Sequence, residues 1–352
     1  MTGWLLAVAR RAVVLAVAAA VVVGLPATAA PADDSVPRPV LNVDFPDPAV
    51  LDGHGGLVAY STGARVPHAW ARTPRGRWTP AGAVLTKHPS WARAGGIWAV
   101  DVVEVGRRWV LYYAVPVRGL GEHGRCIGAA RATSPRGPFA PVGSAPLVCP
   151  SYAPVPTASD PMLPRDRSLP RAGVIDPSAF VDADGSRYLL YKTDRVPRSI
   201  RLLPLDGNGT RARRGASSIE LLRHDGVLEN PVLVRRAEGY VLLLSEGDWT
   251  RCGYRTVWRR TTTLTDWSQA GEGVLLDRTS GLCGPGGADV VGERGDRVMF
   301  LHGWTCHGAE RPCEGGAKWD KRRRARGKRA LYAANLRWPG GVPMVAGWLS
   351  PR

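Results

Sequence analysis

The sequence predicts an all-β fold, a five-bladed β-propeller, on three observations. Apolar or aromatic runs of strand length, bounded by Gly, Asp, Arg or Ser, recur along the chain. Five of these runs occupy the same place in a larger repeating unit, roughly fifty to sixty residues long with one longer gap. The mature chain carries no helical stripe longer than about two turns. All-β repeats of this period are typical of propeller blades.

Each unit has the same order of parts. It opens with an apolar strand that carries or adjoins an acid, passes through a Gly-containing turn into an aromatic-rich strand, and closes with further strands. The opening strands contain residues 47–50, 98–102, 176–180, 229–233 and 287–291, and the aromatic-rich strands are 57–61, 109–113, 188–191, 240–244 and 298–302. A β-sandwich is the alternative fold. It would scatter acids that a propeller gathers around its axis.

The chain begins with a targeting segment. Arg10 and Arg11 precede an Ala/Val/Leu-rich run, and Ala27-Thr28-Ala29 offers a small-residue cleavage site. We therefore expect three parts: a signal peptide at residues 1–29, a lead-in at 30–41 and the propeller catalytic domain at 42–352. The expected product is secreted to the extracellular space, free of the membrane after cleavage, and monomeric.

Export makes the six cysteines candidates for disulfide bonds, because closely spaced pairs oxidise outside the cytoplasm. The favoured pairs are Cys126 with Cys149, Cys252 with Cys283, and Cys306 with Cys313. Zinc binding is the alternative, but the sequence has no C-x-x-C and no matching histidine pair. We therefore expect no metal at these thiols.

The chain is strongly basic, with 47 Lys and Arg against 30 Asp and Glu and a net charge of +17. Such a surface favours acidic polymers as partners, and the densest basic run is Lys318–Arg329. This run is either a solvated loop or a polyanion-binding patch. Nucleic acid is not expected as a partner, because no recognition helix or basic-aromatic sheet motif accompanies the run. Pro150–Ala172 is too rich in proline for a strand or helix and predicts a long loop between blades two and three.

Three acids lie at the mouths of opening strands: Asp47 in D-F-P-D-P-A-V, Asp176 in V-I-D-P-S-A-F and Glu229 in V-L-E-N-P-V-L. Taken singly, each could be a turn or surface residue, since Asp-Pro is a common turn dipeptide. As an ordered set in a propeller, they converge on one pocket. Glycoside hydrolysis needs a proton donor and a second carboxylate on the opposite face of the sugar, and a third acid can keep the donor protonated.

The ordered motifs of the chain resemble glycoside hydrolase family 43. They are D-F-P-D-P-A-V, G-I-W-A-V-D-V-V, C-I-G-A-A-R-A-T-S-P-R-G-P-F, V-I-D-P-S-A-F-V-D-A-D-G-S-R-Y-L-L-Y-K, L-E-N-P-V-L-V, G-P-G-G-A-D-V-V and the closing K-R-A-L-Y-A-A-N-L-R-W-P-G-G-V-P. The resemblance covers about residues 41 to 346. It implies a five-bladed propeller that hydrolyses arabinose- or xylose-containing glycans with inversion of configuration.

The resemblance also implies a role for each acid. Asp47 matches the general base, Asp176 the acid that tunes and orients the donor, and Glu229 the general acid. Retention of configuration is the competing stereochemistry; it requires the base and acid carboxyls to lie about 5 Å apart instead of about 6.5–9.5 Å.

Further positions are assigned by the same resemblance. Trp98 matches an aromatic at the pocket wall, with a core tryptophan as the alternative; Arg329 matches a basic residue near the substrate, and Phe45 is grouped with them as substrate-binding. Many members carry histidine after G-P-G, where it helps hold a water or metal ion on the axis, whereas this chain has Gly287. We therefore expect no cofactor, and an axial calcium only if His302 compensates.

The leading hypothesis is a secreted inverting glycosidase that acts on α-L-arabinofuranosyl or β-xylosyl linkages. One alternative is a catalytically silent propeller that binds glycans or acidic polymers. Invertase-like propeller hydrolases, which act on fructans, are excluded because the chain lacks their Asn-Asp-Pro, Arg-Asp-Pro and Glu-Cys motifs. The sequence leaves open which pentoside is cleaved and whether cleavage is exo or endo.

Overall fold

Five four-stranded antiparallel sheets account for the twenty strands of the residues that the structure, a computed structural model, describes: 1, 37–149, 173–194, 198–292, 297–306 and 327–351. In every sheet the strands follow one another in chain order. The helices in this part of the chain are two short 3-10 turns, Arg278–Ser280 and Pro339–Gly341, and none is long and apolar enough to cross a bilayer. The predicted five-bladed β-propeller is confirmed.

The blades have the following strands. Blade one contains β1 (Ala49–Asp52), β2 (Leu57–Tyr60), β3 (Pro67–Ala71) and β4 (Thr79–Ala83). Blade two contains β5 (Trp98–Val105), β6 (Arg108–Pro116), β7 (Arg125–Ala132) and β8 (Ala140–Val142). Blade three contains β9 (Val174–Val181), β10 (Arg187–Thr193), β11 (Arg198–Pro204) and β12 (Ile219–His224). Blade four contains β13 (Leu228–Arg236), β14 (Gly239–Glu246), β15 (Arg255–Thr261) and β16 (Gly271–Leu276), and blade five β17 (Cys283–Val291), β18 (Arg297–Cys306), β19 (Gly327–Arg337) and β20 (Met344–Trp348).

The first strand of each blade is the innermost one. These strands contact each other in the order β1, β5, β9, β13 and β17, and β17 contacts β1 again. Together they surround the axis, so residues at equivalent positions of the five strands face one channel.

The core lies between the blades, as one apolar cluster for each pair of neighbours. Strand β6 shows why the aromatic-rich runs are apolar throughout. Leu111 and Tyr113 pack in the cluster shared with blade one, whereas Val110 and Tyr112 pack in the cluster shared with blade three. Successive side chains point to opposite faces of a strand, and both faces of a blade are covered by neighbours.

The segment before β1 closes the ring against blade five. The backbone N–H groups of Val40 and Leu41 donate to the carbonyl oxygen of Leu331 in β19, and that of Phe45 donates to the carbonyl of Arg329. This part of β19 has no pairing with β20. The last residues of the predicted lead-in therefore pack as an extension of blade five.

Two of the predicted disulfides are confirmed. Cys126 in β7 is bonded to Cys149, and Cys252, in the loop after β14, is bonded to Cys283 at the start of β17. The third predicted pair includes Cys313, which lies outside the described residues. The targeting segment after Met1, the Pro150–Ala172 loop and residues 318–326 of the basic run also lie outside them.

Candidate active site

An unusual backbone conformation occurs at the start of every innermost strand. Five residues at equivalent places have positive φ angles: Asp47 (49°), Ala99 (30°), Asp176 (56°), Asn230 (50°) and Gly287 (59°). Four of the five carry a side chain, although this region favours glycine. In β5, β9, β13 and β17 the pairing with the second strand is interrupted at this place by a bulge. Such strain concentrates at functional sites, where bulges re-aim side chains.

These five positions define the mouth of the axial channel. The channel is lined by three consecutive residues of each blade: 47–49, 99–101, 176–178, 230–232 and 287–289. Asp47 and Asp176 stand at the first of the three positions, and Glu229 comes one residue earlier in blade four. Asp101 and Asp289 stand at the third position, so the acids of the repeat form two layers.

The deeper acids connect neighbouring blades. Asp101 of blade two accepts a hydrogen bond from the N–H of Ala179 at 2.5 Å, and Asp289 of blade five accepts one from the N–H of Val50 at 2.6 Å. Burial, and for Asp101 also the charge of Asp289, raises the pKa of both groups, that of Asp289 to about 6. Their oxygens are engaged with backbone, so we assign them to the structure of the ring.

Asp47 is the most exposed of the three acids at the mouth, with 17% of its side chain accessible against 13% for Glu229, while Asp176 is buried. Its Oδ2 accepts a hydrogen bond from the Thr62 hydroxyl at 2.9 Å, and the Arg329 guanidinium lies 3.5 Å from Oδ1. Its backbone N–H donates to His302 Nδ1 at 3.1 Å. Its two oxygens thus face a hydroxyl donor and a guanidinium at the channel mouth, a position from which a carboxylate can accept a proton from water.

His302 is held as a neutral imidazole of one tautomer. Because Nδ1 accepts from the backbone of Asp47, the ring proton is on Nε2, which has no hydrogen-bond partner among the described residues. Burial, assisted by the charge of Arg329, lowers the pKa of His302 well below its ordinary value. A Cβ at Gly287 would lie 2.7 Å from His302 Nδ1, so the imidazole occupies the space of a side chain at position 287.

This tautomer bears on the axial ion that the family resemblance implies. A metal ligand needs a free lone pair, and Nε2 of His302 carries the proton instead. Within the described ranges, no group of three or more His, Cys, Asp or Glu is arranged to hold a metal. Direct ligation of a cation by His302 does not fit these contacts.

Glu229 is held at both carboxylate oxygens. Lys192 Nζ donates to Oε2 at 2.7 Å, and the Tyr254 hydroxyl lies 2.8 Å from Oε1. Lys192 is the last residue but one of β10, and only 3% of its side chain is exposed. Burial lowers its pKa, but the carboxylates of Glu229 and Asp176 outweigh this and raise it, so Lys192 is a buried ammonium ion.

Asp176 is the buried acid of the set. Its Oδ2 accepts a hydrogen bond from the N–H of Asn230 at 2.9 Å. Burial raises its pKa, Lys192 opposes the rise and Glu229 adds to it, so that the pKa of Asp176 is about 7. A carboxyl group that exchanges its proton near neutral pH is suited to tune a neighbouring acid.

The aromatic partners of Asp47 and Glu229, His302 and Tyr254, stack on each other. Tyr254 and His302 are parallel, with ring centroids 5.9 Å apart and planes 5° apart. A Cβ at Gly286 would overlap the Tyr254 ring, as one at Gly287 would press on His302. The G-P-G-G motif therefore makes room for these two rings.

Trp98 lies at the mouth, one residue before the positive-φ position of blade two. The Arg125 guanidinium carbon is 3.0 Å from the centroid of its ring and covers that face, and the His123 ring stacks at 5.9 Å. Trp98 is half-buried. Any contact with a sugar is therefore limited to what these neighbours leave uncovered.

Phe45 does not lie where the sequence predicted it. Its side chain is 2% exposed and packs with Leu41, Val50 and Leu331 between blades one and five. The sequence analysis grouped Phe45 with the substrate-binding positions, but its backbone N–H donates to the carbonyl of Arg329 and its ring packs into the core cluster of blades one and five. Phe45 leaves no surface for a substrate, and its assignment as a binding residue is corrected to a core residue.

Arg329 lies beside Asp47 and also contacts an aromatic pair that the sequence analysis missed. Its guanidinium carbon is 4.6 Å from the Trp249 ring and 5.8 Å from the Trp304 ring. The two indoles stack with centroids 6.2 Å apart, and Trp249 is 38% exposed. Trp249 lies in a loop outside the repeat pattern, which is why the pattern did not single it out.

Comparison with known proteins assigns the chain to a family. The model of "Glycosyl hydrolases family 43" matches residues 36–342. A probable arabinan endo-1,5-alpha-L-arabinosidase A of Aspergillus flavus is 28% identical over 266 residues, 72% of this chain and 74% of that protein. The fold is similar to Cellvibrio cellulosa alpha-L-arabinanase (TM-score 0.66, 21% identity, 86% and 95% of the two chains) and to a thermostable family-43 glycoside hydrolase (TM-score 0.67, 16% identity, 90% and 98%). The chain belongs to glycosyl hydrolases family 43 and is a glycoside hydrolase.

Proposed function

We propose that this glycoside hydrolase is a secreted enzyme that cleaves arabinan with inversion of configuration. The observation that carries the proposal is the placement of Asp47, Asp176 and Glu229 at one mouth, each with different partners. Family membership favours catalysis over a silent glycan-binding propeller. The names of the relatives favour arabinan over xylan as the first substrate to test.

The three acids divide the chemistry. Glu229 gives its proton to the glycosidic oxygen as the bond to the anomeric carbon breaks, and the electron pair of that bond stays on the leaving oxygen. A water molecule attacks the anomeric carbon, and its proton passes to Asp47. Asp176 accepts a hydrogen bond from the N–H of Asn230, the residue after Glu229. It thereby orients the proton donor Glu229 and sets the charge around it.

Inversion is supported by the separation of the base and the acid. Asp47 belongs to blade one and Glu229 to blade four, and within the described part of the chain they share no hydrogen-bond partner. His302 contacts Asp47, Tyr254 contacts Glu229, and the two rings stack on each other. The two carboxyls are thus held by separate partners on different blades, in keeping with a base and an acid that act on opposite faces of the sugar.

The rim supplies surfaces for a glycan. Trp249 is an exposed aromatic ring that contacts Arg329, and Arg329 in turn approaches Asp47. A sugar stacked on Trp249 would therefore lie close to the catalytic acids. The net charge of +17 favours association with acidic polymers that accompany the neutral substrate. We propose a monomer that acts outside the cell, which its two disulfides support.

The test is a product assay with purified mature protein on linear arabinan, branched arabinan and xylan. The proposal predicts release of arabinose or arabino-oligosaccharides and loss of activity in Glu229→Gln. Glu238→Gln, at an exposed turn glutamate, is the matched control and should leave activity unchanged. Cleavage of xylan alone, or of neither polymer, would refute the assignment.

A further inference from the structure

The Tyr254 hydroxyl has two acceptors for a single hydrogen. Its oxygen is 2.8 Å from Glu229 Oε1 and 2.7 Å from Asn230 Oδ1. A phenol can donate to only one of them at a time. Which acceptor is used must therefore depend on what else occupies them.

The ring that carries this hydroxyl is fixed. Tyr254 is 1% exposed, stacks on His302 and lies against the backbone of Gly286. Burial first, and the charge of Glu229 next, raise the pKa of Tyr254 well above its ordinary value, so the hydroxyl keeps its proton at any working pH. Only the direction of the O–H bond is free to change.

We propose that Tyr254 is a positioning residue whose hydroxyl turns from Asn230 Oδ1 to Glu229 Oε1 as Glu229 loses its proton. The inference rests on the proposed role of Glu229 as the general acid. It assigns Asn230 a part in the reaction as the acceptor that holds the hydroxyl while Glu229 is still protonated.

The two states follow from counting protons. When Glu229 is protonated on Oε1, that oxygen presents its hydrogen to the glycosidic oxygen, and the Tyr254 hydroxyl donates to Asn230 instead. When the glycosidic bond breaks, the leaving oxygen takes the proton together with the bonding pair. Oε1 is then an anion, and the Tyr254 hydroxyl turns to donate to it. The developing charge gains a donor that was already in place, which favours the transition state over the ground state.

Other groups around Glu229 keep the same partners in both states. Lys192 on β10 donates to Oε2, not Oε1. Asp176 on β9 accepts from the backbone N–H of Asn230, and Asp47, ahead of β1, is bonded to Thr62. The Ser245 side chain also hydrogen-bonds to the Tyr254 hydroxyl, and its Oγ accepts from the N–H of Gly287. Asn230→Gly therefore changes only the alternative acceptor of the hydroxyl, whereas Tyr254→Phe removes the partner of Oε1 together with the contact to Ser245.

The test compares two variants: one removes the hydroxyl donor, and the other removes the acceptor that it uses while Glu229 is protonated. Tyr254→Phe deletes the donor to the carboxylate. The alkaline limb of the pH profile of kcat/KM on linear arabinan should move up by about one to two pH units, and kcat should fall about 10- to 100-fold. Asn230→Gly deletes the acceptor used in the acid form, and the same limb should move down by about half to one pH unit. Glycine suits the φ of 50° at Asn230 and stands at the equivalent Gly287.

The double variant and a control complete the design. In the Tyr254→Phe background, Asn230→Gly should move the limb no further, because no hydroxyl remains to be redirected. Tyr240→Phe removes a hydroxyl that donates to Asp182 Oδ2 at 2.8 Å, away from the mouth, and should leave the limb in place. Melting temperatures of all variants verify folding.

The outcomes separate this inference from the proposed function. An active wild type whose Tyr254→Phe and Asn230→Gly limbs move in the same direction, or do not move, overturns the inference alone. Additive shifts in the double variant also overturn it. A folded wild type without activity on arabinan overturns the proposed function and this inference with it.

Discussion

Removal of the buried ammonium of Lys192 tests how the acids of the mouth are held together. Lys192 is 3% exposed, and its Nζ lies 2.7 Å from Glu229 and 3.8 Å from Asp194. Taking one partner from a buried ion pair leaves an uncompensated charge and costs about 3–5 kcal/mol. Lys192→Met keeps the length of the side chain, so we expect a loss of unfolding free energy of that size at alkaline pH.

The loss should depend on pH through Asp176. Burial, opposed by Lys192 and reinforced by Glu229, raises the pKa of Asp176 to about 7, above the unfolded value near 3.8. A folded state that binds more protons loses stability as the pH rises between the two values. Without Lys192 the folded pKa rises further, so the variant should lose more stability at pH 8.5 than at pH 5, where Asp176 is protonated.

Denaturant unfolding followed by tryptophan fluorescence at both pH values measures this difference. Lys87→Met, at an exposed lysine, is the matched control and should change stability little. An equal loss for Lys192→Met at pH 5 and pH 8.5, or no loss at either, would refute the electrostatic account of the site.

Three further outcomes are expected. Trp249→Ala should raise KM for arabinohexaose several-fold more than for an aryl arabinofuranoside, since only the longer substrate reaches the rim ring; equal effects would contradict this. Asp289→Asn keeps an oxygen for the N–H of Val50 but removes a group whose pKa burial raises to about 6. The unfolding free energy of the wild type, measured by urea titration, should therefore fall by up to about 3 kcal/mol relative to that of the variant as the pH rises from about 4 to 7. A difference between the two proteins that does not depend on pH would contradict this expectation. Replacing Cys252 and Cys283 together by Ser should cost about 2–4 kcal/mol in the same assay, and an unchanged midpoint would show that the bridge does not stabilise the fold.

The fold could be predicted because each blade repeats one pattern of burial. An aromatic-rich strand such as β6 is apolar at every position because its two faces pack against different neighbours. The turn residues and the acids then mark where each unit begins. The third disulfide and the targeting segment stay predictions, since Cys313 and residues 2–36 lie outside the described part of the chain.

The site was predictable only where it follows the repeat. Asp47 and Asp176 occupy equivalent positions of the innermost strands, with Glu229 one residue before such a position, so the fold brings them to one mouth. Lys192 was visible as a basic residue at the end of an apolar strand, which is the signal that could have found it.

Tyr254 gave no such signal, and the sequence singled out His302 only as a histidine that could compensate for Gly287 at an axial ion. Tyr254 lies directly before the third strand of blade four, and His302 lies in the second strand of blade five. Both reach the mouth through contacts between blades that no local pattern encodes. The space they fill is created by Gly286 and Gly287. In the sequence, Gly287 was only a departure from the family pattern, which has histidine there in many members. In the structure, the His302 ring from the neighbouring strand fills the space that a side chain at position 287 would need.

The most direct test of the central claim is the configuration of the first product. In the proposed mechanism Asp47 activates a water on one face of the sugar, and Glu229 protonates the leaving oxygen on the other. Proton NMR of linear α-1,5-arabinan during the first minutes of hydrolysis should therefore show the β anomer before mutarotation, with no product from Glu229→Gln. Initial appearance of the α anomer would contradict the account, because it would require a covalent intermediate on one of the carboxylates.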